Sequence, residues 1–216
     1  MAKYEQLKRI YESGIVVVIR AASAGEALNV TEAVRAGGIA AIEITMTVPG
    51  ALEVIREVAG SYESSQVLVG AGTVLDPETA RQVLLAGAEF VVSPYFNADV
   101  VRLCNRYQKI CMPGAMSVKE IVEIMEAGVD VIKLFPGNAF GPGMIKAIKG
   151  PLPQAEIMPT GGVSLENVDQ WIKAGAFAVG VGGELTAEGL KYGDFSMITK
   201  TAKAFRDKIL QARNNR

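Results

Sequence analysis

A lysine and a glutamate each interrupt a short, otherwise apolar run of this chain. Lys133 lies in DVIKLFPG (130–137) and Glu43 in IAAIEITM (39–46). Lys and Glu are almost never fully buried unless they are paired or put to use, because an isolated buried charge is costly even after relaxation. An inert Glu43–Lys133 ion pair is one such use, although well-packed apolar side chains replace such pairs at little cost. Chemistry is the other. Desolvation disfavours an ammonium group, and an uncharged amine attacks a ketone to give a Schiff base. The protonated imine then draws electrons out of a neighbouring C–C or C–H bond, and a carboxylate beside it can move the protons. The eleven other lysines fall on helical or loop patterns or, like Lys109, just ahead of a run.

Composition narrows the alternatives. The chain has no histidine, which removes Ser-His-Asp and Cys-His nucleophilic schemes, imidazole acid–base chemistry and the usual zinc sites. Cys104 and Cys111 have neither metal-ligand nor CxxC spacing and read as packed, reduced thiols. No metal and no cofactor is expected. Lys plus Arg total 22 against 23 Asp plus Glu, so neither nucleic acid nor an anionic membrane is an expected partner. No apolar stretch approaches the ~18 residues of a membrane span. The opening MAKYEQLKRIYESG is charged and lacks the apolar stretch of a secretory signal, which predicts a cytoplasmic protein acting on small molecules.

The elements that position Lys133 and Glu43 follow from a repeated pattern. Eight short apolar runs occur: IVVVIR (15–20), IAAIEIT (39–45), VLVGAGT (67–73), FVVSP (90–94), ICMPG (110–114), DVIKLFPG (130–137), EIMPTGG (156–162) and FAVGVGG (177–183). They are continuously apolar, as expected of parallel strands covered on both faces. Helical patterns lie between them and carry start signals: Ser23 followed by Glu26, Asp76 before Pro77, Ser117 followed by Glu120, and Ser164. Several end in Ala-Gly or Gly-Gly. Strand, loop and helix repeated eight times without a linker predict one domain over residues 1–216, a (β/α)8 TIM barrel. An additional N-terminal helix falls near residues 3–13 and a closing helix over 194–216. A doubly wound open sheet is the second choice.

In such barrels chemistry sits where the strands hand over to the following loops. Polar residues cluster there: Arg20, Glu43 with Thr45, Thr73, Ser93, Lys133 and Thr160. Thr73, Ser93 and Thr160 are equally readable as turn or cap residues, and Arg20 as a salt-bridge partner. The pairs Gly161–Gly162 and Gly182–Gly183 close the last two runs. Glycines let backbone N–H groups approach a ligand closely, and barrels of this class often hold phosphate in those two loops.

Taken in order, VVVIR, GGIAAIEITM, VGAGTVLD, FVVSPYF, MPGAMSVKEI, VIKLFPGNAFGPGMIKAIKGPLP, IMPTGGVSLENV and VGVGGELT resemble the bacterial 2-keto-3-deoxy-6-phosphogluconate (KDPG) / 4-hydroxy-2-oxoglutarate (KHG) aldolase family over nearly the whole chain. The resemblance implies a metal-free class I aldolase, usually a homotrimer. It implies Lys133 as the Schiff-base lysine and Glu43 as general acid–base. Arg20, Thr73 and Pro94 would line the site for the pyruvyl portion, with Phe135 beside the imine. Gly161, Gly162, Gly182 and Gly183 would form the phosphate-side loops. Thr45, Thr47 and Thr160 complete the expected substrate-binding set. Two positions depart from the family pattern: Thr47 stands where well-known members have a carboxylate-binding arginine, and Glu184 where they have serine.

The expected reaction is cleavage of a 2-keto-4-hydroxy acid, foremost 2-dehydro-3-deoxy-6-phosphogluconate, to pyruvate and glyceraldehyde 3-phosphate. The alternative substrate is 4-hydroxy-2-oxoglutarate, giving glyoxylate. More remote readings are a sugar-phosphate epimerase or isomerase, and a non-catalytic ligand-binding barrel.

Overall fold

The computed structural model describes residues 2–63 and 65–214. Helix α1 (Ala2–Ser13) precedes β1 (Ile15–Ile19), and helices and strands then alternate: α2 (Ala24–Ala36), β2 (Ala41–Thr45), α3 (Ala51–Ser61), β3 (Leu68–Gly72), α4 (Pro77–Leu85), β4 (Phe90–Val92), α5 (Ala98–Arg106), β5 (Ile110–Met112), β6 (Gly114–Ala115), α6 (Val118–Glu126), β7 (Ile132–Leu134), α7 (Gly143–Lys149), β8 (Ile157–Pro159), α8 (Val168–Ala174), β9 (Val179–Val181), α9 (Gly183–Tyr192) and α10 (Phe195–Asn214). The closing helix is thus found over 195–214, and its expected last two residues lie outside the described ones. Among the described residues, no helix is long and apolar enough to cross a membrane.

All registered strand pairs are parallel. One sheet has the order β5-β4-β3-β2-β1-β9 and the other β6-β7-β8. The ICMPG run yields two strands because Pro113 has no N–H to give a ladder. Its carbonyl still accepts from the Lys133 N–H at 2.9 Å. At the far edge, Phe177 N–H donates to the Ile157 carbonyl at 2.8 Å, and a bridge joins Thr160 to Gly180. The fold is therefore parallel α/β, with the two sheets abutting at both places.

Successive strand side chains point to opposite faces, and the apolar runs divide accordingly. Ile15, Val17, Ile42, Ile44, Val69, Val91 and Ile132 pack with the helices in one core. Val16, Ala41, Leu68, Phe90, Ile110, Val131, Met158 and Ala178 form a second core on the other face, joined by Ile10 of α1. Further along several strands this second face turns from apolar to polar or small, at Arg20 beyond Val18, at Glu43 and Thr45, at Gly70 and Gly72, at Lys133, at Thr160, and at Gly180 and Gly182, whereas β4 and β5 stay apolar at Val92 and Met112.

Caps fix where the helices begin. Ser23 accepts from Glu26 N–H, Asp76 from Thr79 N–H with Pro77 in the first turn, and Ser117 with Glu120 forms a capping box. The fourth start signal is displaced. Helix α8 begins at Val168, not directly after Ser164. The Asn167 side chain accepts from Ser164 N–H and donates to the Gly162 carbonyl, holding residues 162–167 in a turn first. Cys104 and Cys111 are both buried and free.

Candidate active site

Glu43 sits in the middle of β2, in register between Val18 of β1 and Gly70 of β3. It is 1% exposed, and neither carboxylate oxygen has a hydrogen-bond partner among the described residues. A side chain at Gly72 would collide with it: a Cβ there would lie 1.8 Å from Glu43 Oε1. The carboxylate therefore occupies the volume that glycine leaves. Leaving a buried acceptor unpaired costs about 1–3 kcal/mol, and more when it is charged. A group kept in this state is built to receive a partner.

Lys133 occupies the centre of β7, in register with Gly114 and Met158, and is 3% exposed. Its Nζ lies 5.2 Å from the centroid of the Phe135 ring, within cation–π range. The inert Glu43–Lys133 ion pair is not formed, since both Glu43 oxygens are unpartnered. Lys109 behaves as its position suggests, pairing with Glu89 at 2.7 Å ahead of β5.

A cavity of about 640 Å³ opens at Val18 and Phe135. Arg20, Phe135 and Thr160 line it, as do Gly161, Gly162, Gly182 and Gly183. Lys133 and Glu43 are not on its wall, but Phe135 and Val18 connect them to it: one faces Lys133 Nζ, the other is the register neighbour of Glu43. Thr160 is 5% exposed and its Oγ1 has no hydrogen-bond partner among the described residues. Gly180 makes room for it, because a Cβ there would fall 2.2 Å from Oγ1. Gly162 has φ +70°, and a Cβ would lie 2.7 Å from that of Asn138, so that loop position excludes a side chain on both counts.

The remaining expected residues lie elsewhere. Thr47 and Thr73 border a separate cavity of about 360 Å³ with Met46, Leu75, Asp76 and Thr79. Thr45 is fully buried, donates to the Ile19 carbonyl at 3.0 Å and lies 2.7 Å from Thr47 Oγ1. A hydroxyl has one proton, so Thr47 is the donor between the two threonines. Thr73 has φ +58°, an outlier for a β-branched residue. Strain of this kind costs about 1–3 kcal/mol and concentrates at functional sites. The Pro94 carbonyl packs against Gly114, where a Cβ would lie 2.1 Å away. Ser93 is buried and accepts from Tyr95 N–H at 3.4 Å, which is the turn role.

Four residues of this region escape motif reading: Gly72, Gly180, Gly114 and Glu188, the last on the wall of the larger cavity. The three glycines carry one sequence signal, which is that each falls on the same alternating positions as Glu43, Lys133 and Thr160.

Comparison with known proteins identifies the family. The family model described as KDPG and KHG aldolase matches residues 7–201. The chain is 35% identical over 176 residues to the 2-dehydro-3-deoxy-6-phosphogalactonate aldolase of Escherichia coli, covering 81% of this chain and 85% of that one. It is 34% identical over 198 residues to the 2-dehydro-3-deoxy-phosphogluconate aldolase of Treponema pallidum, covering 91% and 92%. Among solved structures, KDPG aldolase from Legionella pneumophila with pyruvate captured as a covalent carbinolamine intermediate superposes with a TM-score of 0.85 at 30% identity, covering 93% of this chain and 97% of that one. The chain belongs to the KDPG and KHG aldolase family.

Proposed function

We propose that this protein is a class I aldolase that cleaves a 2-keto-4-hydroxy acid to pyruvate and an aldehyde, with 2-dehydro-3-deoxy-6-phosphogluconate as the substrate the relatives' names favour. One observation carries the reading: a buried lysine and a buried, unpartnered carboxylate share the second strand face beside an open cavity.

In the proposed cycle, Lys133 Nζ attacks the C2 ketone and a carbinolamine forms. Glu43 shuttles protons while water leaves and the iminium develops. Glu43 then takes the proton of the C4 hydroxyl, the C3–C4 bond breaks, and its electron pair is held as an enamine. The aldehyde departs. Protonation at C3 and hydrolysis release pyruvate and restore the amine. Phe135 packs beside the imine. By likeness to the family, Arg20 from the larger cavity and Thr73 from the smaller one hold the pyruvyl end with Pro94, Thr45 fixes Thr47 through their shared hydrogen bond, and Thr160 with Gly161, Gly162, Gly182 and Gly183 receives the distal end.

The same reading makes the chain one domain, a closed (β/α)8 barrel with α1 across the end away from the site. Pairing of β1 with both β2 and β9 supports closure over an open doubly wound sheet, as do the contacts at Pro113 and Thr160–Gly180. A cytoplasmic homotrimer completes the proposal, by likeness to the family.

The test is pyruvate release from a panel of 2-keto-4-hydroxy acids that includes 4-hydroxy-2-oxoglutarate. Wild-type protein releases pyruvate and Lys133→Ala does not, a loss of at least about 10⁴-fold for removal of the covalent nucleophile. Pyruvate release retained in Lys133→Ala would remove the Schiff-base mechanism, whereas no pyruvate release by wild type from any substrate of the panel would favour an imine-free isomerase or epimerase.

A further inference from the structure

Three ionisable side chains stand on the wall of the larger cavity: Arg20, Glu184 and Glu188. With one positive and two negative groups, that wall is formally acidic. Glu184 and Glu188 are one turn apart on α9, and with Ala187 they make up the helix face that borders the cavity. Thr160 also borders the cavity; it is 5% exposed, and its Oγ1 is buried and has no hydrogen-bond partner among the described residues. A buried, unpaired hydroxyl beside a cavity calls for a partner, and a ligand's polar atom can supply one.

Two features of this cavity attract an anion, namely Arg20 and the N-terminus of α9 after Gly182. Glu184 weakens the second. It lies in the first turn of α9, where its own carboxylate already complements the positive helix end. Together with Glu188 it also outnumbers Arg20, the guanidinium that the pyruvyl carboxylate engages in the proposed cycle. A phosphate dianion meets two like charges here. A hydroxyl does not, because it donates to a carboxylate, and hydrogen bonds to charged acceptors are the stronger kind.

Resting on the aldolase reading above, we propose a further activity: the site also cleaves unphosphorylated 2-keto-4-hydroxy sugar acids, whose distal hydroxyls donate to Glu184 and Glu188, and Glu184 sets the balance between phosphorylated and unphosphorylated substrates. The step is the same redox-neutral cleavage. The C3–C4 electron pair passes into the Lys133 enamine, the C4 hydroxyl proton passes to Glu43, and the products are pyruvate and a neutral polyhydroxy aldehyde.

The experiment measures kcat/KM for 2-keto-3-deoxygluconate and for its 6-phosphate by pyruvate release, in wild type, Glu184→Gln, Glu188→Gln and the double variant. Wild type is expected to turn over both. The ratio of phosphorylated to unphosphorylated kcat/KM is expected to rise on the order of tenfold in Glu184→Gln, which corresponds to about 1.4 kcal/mol. It is expected to rise further in the double variant, with the change in KM for the phosphate ester. Wild type that cleaves the phosphate ester alone would overturn the inference, as would a ratio that stays within twofold across the variants. Borohydride reduction of wild type with pyruvate separates the two levels. An adduct on Lys133 together with either of those results leaves the aldolase standing and removes only this activity, whereas no adduct and no turnover of either substrate removes both.

Discussion

Gly72 holds Glu43 in place by having no side chain. A Cβ at that position would lie 1.8 Å from Glu43 Oε1, so Gly72→Ala must displace the carboxylate. Misplacing a catalytic group by about 1 Å can cost on the order of 10²-fold, and kcat for pyruvate release is expected to fall by that much. Because the loss acts through Glu43, Glu43→Gln combined with Gly72→Ala is expected to be little worse than Glu43→Gln alone. Fully additive losses in the double variant would show that Gly72 acts through something else. Lys133 and Glu43 were legible in the sequence because a charge inside an apolar run is costly and therefore conspicuous. Gly72 was not, because a strand glycine looks like a turn glycine until its cross-strand neighbour is known. The inert ion pair was also open from sequence alone, and only the unpartnered oxygens of Glu43 decide against it.

Helices α2 and α4 show how local chemistry sets the elements. Asp76 accepts from Thr79 N–H at 2.6 Å and from Thr79 Oγ1 at 2.9 Å. Asp76→Ala is expected to lower stability by about 1 kcal/mol, measured by denaturant unfolding. On α2, Glu32 receives hydrogen bonds from Arg35 and from the Tyr62 hydroxyl. The Arg35 guanidinium first and the Tyr62 hydroxyl second hold its carboxyl at about 2, below the ordinary 4.5. A carboxyl depressed in the folded state stabilises above its unfolded value, and that contribution is lost as pH falls toward the folded one. The thermal midpoint of wild type is therefore expected to exceed that of Glu32→Gln by a constant amount above about pH 5 and to converge on it toward pH 2. The difference stays within about 1 kcal/mol because the group is half exposed. A gap that persists at pH 2 would show that the carboxylate charge is not its source. Caps at Ser23, Asp76 and Ser117 were readable from residue type and spacing. The start of α8 was not, because Asn167 rather than Ser164 organises that turn. The ICMPG run also conceals the break that Pro113 makes in its ladder.

Across the molecule, the alternation of apolar runs and capped helices sufficed to read parallel α/β, since runs that are short, continuously apolar and bounded by helix caps are what strands covered on both faces give. The division of those runs between two cores was hidden in them, because continuous apolarity masks the two-residue alternation. Only the polar and glycine positions reveal which face carries the site. The trimer is tested by light scattering on the purified protein, where a mass of three times 22.9 kDa is expected and a single-chain mass would exclude it. The central claim concerns one amine, and it is tested most directly by reducing the protein with borohydride in the presence of pyruvate and mapping the modified peptide by mass spectrometry. A reduced pyruvyl adduct on Lys133, absent when pyruvate is omitted, is the expected result. An unmodified Lys133 peptide in protein that still releases pyruvate would contradict it.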